Sequence, residues 1–73
     1  MEYSMRVKYF HEELRQLRKS LNLTQKNVAD ALGIVSQSYY AYEAGVAMPT
    51  LENFIKLCDF FDVTPNYLLK YTE

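Results

Sequence analysis

The chain has 73 residues, 49% of them hydrophobic, and a formal net charge of −1 at pH 7. A single cysteine, Cys58, excludes an internal disulfide, and no apolar run is long enough to cross a bilayer, so we expect one small domain, residues 1–73, in the cytoplasm. A charge this close to zero also argues against a protein that binds nucleic acid through net charge alone, because phosphate neutralisation supplies most of the non-specific affinity.

The first predicted element is an amphipathic helix. Apolar residues recur at steps of three and four, with charged residues between them, which is the period of one helix face. The helix is expected to end at Asn22, because Asn tolerates the left-handed conformation of a C-cap. The apolar positions that define the inward face are Val7, Phe10, Leu14, Leu17 and Leu21.

A short second helix is predicted over residues 24–32. Thr24 offers a hydroxyl N-cap, and Gly33 supplies the positive φ with which a tight turn can close the helix. Ala29 is expected to lie where this helix crosses its neighbour, since only a small side chain fits there. The inward face consists of Val28, Ala29 and Leu32.

A third helix is predicted over residues 35–43. Tyr39 and Tyr42 are spaced three apart and are expected to be its buried pair. Val35 has no hydroxyl to cap the helix, which costs about 1 kcal/mol unless Ser36 takes over the capping.

Two more helices complete the chain, so the sequence predicts five helices and no strand, an all-α fold. Thr50 caps the fourth helix after an extended Met48-Pro49, because proline disfavours the α conformation of the preceding residue. Thr64 and Pro65 open the last helix. The expected core face of the fourth helix is Leu51, Phe54, Ile55, Cys58 and Phe61.

One pattern of residues runs through most of the chain: Leu17-Arg18, Leu23-Thr24-Gln25, Val28-Ala29, Leu32-Gly33-Ile34, Glu43, Gly45, Pro49 and Leu68-Leu69. Over about residues 10–69 this pattern resembles the lambda-repressor/Cro-like, or XRE, helix-turn-helix family. The resemblance implies a compact five-helix domain whose second and third helices form the helix-turn-helix. It also implies double-stranded DNA as partner, with the first motif helix crossing the phosphate backbone and the second entering the major groove.

The base readers are expected on the outward face of the third helix, at Ser36, Gln37, Ser38, Tyr40 and Ala41. Gln37 is the main candidate, because its amide can bond adenine N6 and N7 together and discriminate by about 1–3 kcal/mol. Tyr40 and Ser36 can contact a base or a phosphate, and the methyl group of Ala41 can touch thymine. The alternatives are a solvated surface Gln37 and a Tyr40 that contacts a protein.

The remaining site residues have positioning roles. Gln25 matches a family position that holds a phosphate at a helix N-terminus, and Lys26 follows it as a further phosphate contact. Arg18 and Glu43 match a family ion pair that joins the first helix to the recognition helix. We therefore assign these two residues to structure, with about 3–5 kcal/mol at stake if a buried partner were removed.

The sequence departs from the family pattern after the third helix. The loop at residues 44–48 contains no basic side chain, so several expected phosphate contacts are missing. Each lost contact reduces the slope of the log binding constant against the log salt concentration by about 0.9. Weak DNA binding is expected unless Lys26 and the basic N-terminal segment help, since residues 1–26 carry six Lys or Arg against three acidic residues.

Two other functions stay open, a protein-interaction module and an antitoxin-type family member that binds both DNA and protein. Residues 46–48 and Tyr40 are apolar enough to form a docking patch. An enzyme is not expected, because the only histidine, His11, stands next to Glu12 and Glu13 on what is predicted to be a solvated helix face, without a nucleophile or base to meet it. No cofactor, metal or small-molecule substrate is expected.

The expected assembly is a homodimer that acts as a repressor. One domain of this size reads few bases, whereas a two-fold dimer doubles the contacts and places half-sites one helical turn, roughly 34 Å, apart. Exposed apolar groups of the last helix and tail, such as Tyr67, Leu69 and Tyr71, are candidates for its interface.

Overall fold

The computed structural model of the chain describes residues 2–71, which contain five α-helices and no strand. The prediction of a five-helix, all-α fold is therefore confirmed. No helix among these residues is long and apolar enough to cross a membrane. The helices are α1 (Tyr3–Ser20), α2 (Gln25–Leu32), α3 (Ser36–Ala44), α4 (Leu51–Phe61) and α5 (Pro65–Leu69).

Threonine side chains cap three of the helices, as the sequence predicts. The Thr24 hydroxyl accepts from the amide of Asn27 at 3.0 Å, and the Asn27 side chain accepts in return from the amide of Thr24 at 2.9 Å. Thr50 and Thr64 cap α4 and α5 in the same way, each at 3.1 Å. These bonds satisfy amides that have no partner inside the helix, so each helix start is defined locally.

The start of α3 has no such cap. Val35 occupies the N-cap position without a side-chain hydrogen bond, and Ser36 is the first helical residue and does not replace it. At the end of α1, Asn22 adopts the left-handed conformation, with φ 57°, which confirms the predicted stop. The helix itself begins at Tyr3, four residues before the first predicted apolar position.

The core lies where the inward faces of all five helices meet. The predicted inward face of α2 is buried, and the rings of Tyr39 and Tyr42 pack edge to face, 6.3 Å apart. Cys58 is also buried, as predicted for the core face of the fourth helix. The buried apolar residues are Phe10, Leu14, Val28, Ala29, Leu32, Tyr39, Tyr42, Leu57, Cys58, Phe61 and Leu68.

Three residues assigned to the core are instead exposed. Leu51 is 76% exposed, Ile55 51% and Leu21 52%. Leu21 follows the last residue of α1, so it has left the helix face. Helix α4 packs on the core with the face that contains Leu57, which is fully buried and was not predicted. The prediction for Leu51 and Ile55 was wrong because α4 carries apolar residues on more than one face.

The prediction that His11 lies on a solvated face was also wrong. The imidazole is 8% exposed, packs edge-on against Phe10, and is hydrogen-bonded through Nδ1 to the backbone carbonyl of Tyr42. A Cβ added at Gly45 would lie 3.5 Å from the His11 ring. Since Tyr42 is in the last turn of α3, His11 ties α1 to the C-terminal end of that helix.

Candidate nucleic-acid interface

Helices α2 and α3 form a helix-turn-helix around a turn at residues 33–35. Gly33 ends α2 with φ 74°, and the amide of Ile34 donates to the carbonyl of Ala29 at 3.0 Å. Ala29 is fully buried, and its small side chain suits the close packing of α2 on α3. This turn fixes the direction in which α3 crosses the surface of the domain.

Three of the five predicted base readers are exposed on α3. Ser36 and Gln37 are exposed, and Tyr40 is 58% exposed. Ser38 and Ala41 are half-buried and therefore less accessible to a ligand. Because Ser36 does not cap the helix, capping does not engage its hydroxyl. We call Ser36, Gln37 and Tyr40 the reading surface.

An ion pair between Arg18 and Glu43 joins α1 to α3 beneath this surface. Arg18 Nε donates to Glu43 Oε2 at 2.7 Å and Nη2 donates to Oε1 at 3.0 Å. A third donor, Nη1, bonds the carbonyl of Leu23 at 2.9 Å. The two side chains are only 13% and 3% exposed. Such a bidentate, enclosed pair holds both helices in one relative orientation.

The electrostatics of this pair keep Glu43 ionised. Burial alone would raise its pKa, but the hydrogen bonds and charge of Arg18, together with the polar groups of Tyr39 and Gln25, outweigh burial and lower the pKa below the usual range of a glutamate. Burial and then the neighbouring Glu43 carboxylate raise the pKa of the Tyr39 hydroxyl well above its ordinary value. Tyr39 is therefore a neutral side chain beside a charged pair.

The two residues predicted to contact phosphate both have protein partners. Gln25 Nε2 donates to Glu43 Oε1 at 3.1 Å, so its side chain extends the Arg18–Glu43 pair. Lys26 Nζ lies 2.9 Å from Asp30 Oδ2, four residues along α2, with both groups largely exposed. Exposed pairs of this kind contribute little and exchange easily. Lys26 thus remains accessible to a phosphate, whereas the side chain of Gln25 would have to break its hydrogen bond with Glu43 to bind one.

A cleft next to the reading surface contains cations that the sequence analysis did not assign. It lies between α1, the start of α2 and α3, and we call it the α1–α3 cleft. Arg15 and Lys19 of α1 were missed, although their spacing of four around Arg18 puts them on the same side of the helix. The residues that line the cleft are Arg15, Arg18, Lys19, Gln25, Tyr40, Glu43 and Ala44.

The apolar surface suggested for protein docking is divided in the structure. Val46 is 75% exposed and Met48 51%. Met48 lines an apolar groove with Phe10 and Leu69, whereas Tyr40 lines the α1–α3 cleft. Tyr40 therefore belongs with the polar, cationic side of the domain.

Known proteins resemble the chain over most of its length. A family model described as helix-turn-helix matches residues 14–68. The uncharacterized HTH-type transcriptional regulator YqaE of Bacillus subtilis is 44% identical over 61 residues, which are 84% of this chain and 53% of that protein. The cryptic phage CTXphi transcriptional repressor RstR of Vibrio cholerae is 42% identical over 53 residues, 73% of this chain and 47% of that protein.

A relative of the opposite regulatory sign also matches. The HTH-type transcriptional activator BcrR of Enterococcus faecalis is 36% identical over 64 residues, 88% of this chain and 31% of that protein. The chain spans about half the length of the first two relatives and less of the third. No solved structure matches it.

Proposed function

Because the chain belongs to the helix-turn-helix family, we propose that it is a DNA-binding transcriptional regulator that places α3 in the major groove of a duplex. The observation that carries this proposal is the reading surface itself. Ser36, Gln37 and Tyr40 are exposed on a helix whose orientation is held by the buried Arg18–Glu43 pair. Exposed polar side chains on a rigidly supported helix can present donors and acceptors to base edges.

Each side chain then has a distinct role. Gln37 reads an adenine with both atoms of its amide, and Ser36 and Tyr40 bond to a base or a phosphate. At the start of α2, the backbone N–H groups of Gln25 and Lys26 have no acceptor inside the helix. They and the Lys26 ammonium can therefore hold a phosphate. The half-buried Ser38 and Ala41 contribute contact at the margin of the reading surface, Ala41 through its methyl group. This mechanism needs no catalysis and no cofactor.

We propose further that the protein is a cytoplasmic repressor that binds as a homodimer. RstR, which is named a repressor, supports this sign of regulation. Apolar side chains near the C-terminal end of the described residues support the dimer. Tyr71 is 53% exposed and Tyr67 46%, while Leu69 lines the apolar groove. Two-fold pairing through these residues would give two reading surfaces for one operator.

Selection of bound sequences from a pool of randomised duplexes tests the assignment of roles. The expected product is a pair of inverted half-sites about one helical turn, roughly 34 Å, apart. On the selected duplex, Gln37→Ala should weaken discrimination at one base pair by about 1–3 kcal/mol while other positions are unaffected. Gln25→Ala should weaken binding to all sequences by a similar factor, because it removes the hydrogen bond to Glu43 that helps to hold α3 in place and removes no base contact.

The outcome of that selection separates the parts of the proposal. A single half-site would contradict the dimer, and equal effects of Gln37→Ala and Gln25→Ala on discrimination would contradict the division into reader and positioning residue. Both variants should melt close to the wild-type temperature except for the small loss of the Gln25–Glu43 hydrogen bond.

A second candidate function is protein docking through the loop at residues 46–48. The exposed Val46 and the apolar groove beside Met48 favour it. The variant Val46→Ser distinguishes a role in DNA binding from a role in docking. If the protein binds DNA through the reading surface, this variant should bind DNA as the wild type does, because Val46 carries no charge and lies outside that surface. Loss of DNA binding in this variant would contradict that assignment.

A further inference from the structure

The proposed DNA interface has few basic side chains around α3, and the α1–α3 cleft contains additional ones. The loop after α3 has no basic side chain. Of the two predicted phosphate contacts on α2, the Gln25 side chain is bonded to Glu43, and Lys26 is paired with Asp30. A duplex nevertheless presents phosphates on both sides of a recognition helix, and affinity depends on how many of them are neutralised. Cations elsewhere on the same face of the domain would add to the contribution of Lys26.

Arg15 and Lys19 are placed to do so. Both are exposed on α1, one helical turn apart, and both line the α1–α3 cleft with Tyr40 of the reading surface. Among residues 2–71, neither of them forms an ion pair, in contrast to Lys26 and Lys56. Their charges therefore need not be released from a protein partner before they bind an anion.

The balance of charge in the cleft also favours an anion. Three cations line it, Arg15, Arg18 and Lys19, against one carboxylate, Glu43. That carboxylate is neutralised by Arg18, which donates two hydrogen bonds to it, and it also accepts one from Gln25. The excess positive charge lies in a concave surface next to the bases that α3 would read. A cleft lined by charges of one sign concentrates the electrostatic potential, here positive and directed at the duplex.

We propose that Arg15 and Lys19 each bind a phosphate of the DNA strand that flanks α3, in the α1–α3 cleft. This assignment rests on the proposed function and adds to it the residues that replace the missing basic loop. Arg15 can meet two phosphate oxygens with its planar fork, and Lys19 acts as a flexible point charge. These contacts strengthen binding to every sequence and do not discriminate among bases.

The test compares two double variants that change the net charge equally. Arg15→Gln/Lys19→Gln removes the cleft cations, and the matched control Lys56→Gln/Lys70→Gln removes two cations outside the cleft. Affinity for a random-sequence duplex is measured by fluorescence anisotropy at several salt concentrations. Thermal melting followed by circular dichroism checks that all proteins are folded, which is expected since the substituted side chains of α1 are exposed.

The cleft variant is expected to flatten the slope of log affinity against log salt by about 1.8, or 0.9 for each residue. Between about 50 and 200 mM salt it should lose roughly tenfold less affinity than the wild type does. The control variant should keep the wild-type slope. Equal slopes for the two double variants would overturn the assignment while leaving DNA binding intact. Absence of wild-type binding at low salt would overturn the proposed function and this assignment together.

Discussion

Replacing Glu43 with alanine is expected to lower the free energy of unfolding by about 3–5 kcal/mol, because it leaves a charged Arg18 enclosed without its carboxylate. The Glu43 side chain is 3% exposed and accepts bonds from two residues, Arg18 and Gln25. Equilibrium unfolding in urea, followed by circular dichroism, measures the loss. For a domain of this size such a change removes much of the total stability.

The matched control is the exposed ion pair on α2. Lys26→Ala breaks the pair with Asp30, whose groups are 73% and 61% exposed, and should change the free energy of unfolding by less than about 1 kcal/mol. A loss at Glu43 no larger than at Lys26 would contradict the account of a supporting ion pair.

The Glu43 carboxylate also predicts the sign of the acid response. Its pKa is lower in the folded chain than in the unfolded chain, so its contribution to stability is present above the unfolded pKa and is lost as pH falls through the folded pKa. The stability difference between wild type and Glu43→Ala should therefore shrink as the solution is acidified. If the stability difference stays constant as the pH falls through the folded pKa of Glu43, the charge of Glu43 does not contribute to that difference.

Replacing Leu57 with alanine is expected to lower the free energy of unfolding by about 2–5 kcal/mol. Leu57 is fully buried in α4, so truncation removes its contacts and leaves a cavity. Leu51→Ala, in the same helix, should cost no more than about 0.5 kcal/mol, since Leu51 is 76% exposed. Urea unfolding of both variants measures the difference, and a larger loss at Leu51 than at Leu57 would mean that α4 packs with its other face.

Leu51 and Leu57 also show which features of the fold the sequence predicts and which it does not. Helix starts are encoded by nearby side chains, and Thr24, Thr50 and Thr64 cap their helices as predicted. The direction in which a helix faces depends on its neighbours. Helix α4 is apolar at Leu51 and Ile55 as well as at Leu57, so periodicity did not single out the face that packs against the rest of the fold.

The site could be predicted where its residues act locally and not where they meet across the fold. The exposure of Ser36 and Gln37 follows from their position at the start of α3. The burial of His11 depends on the carbonyl of Tyr42, 31 residues away, and its glutamate neighbours suggested a solvated position instead. The α1–α3 cleft likewise requires that α1 and α3 pack together, so Arg15 and Lys19 were not recognised as part of the site.

The central claim is that this domain binds duplex DNA. Titration of the wild-type protein into a fluorescent random-sequence duplex, at about 50 and then 200 mM salt, tests it before any operator is known. We predict binding at the lower salt concentration that weakens steeply at the higher one, because released counterions drive it. Absence of binding at the lower concentration would contradict the claim and would favour docking of a protein at the loop of residues 46–48.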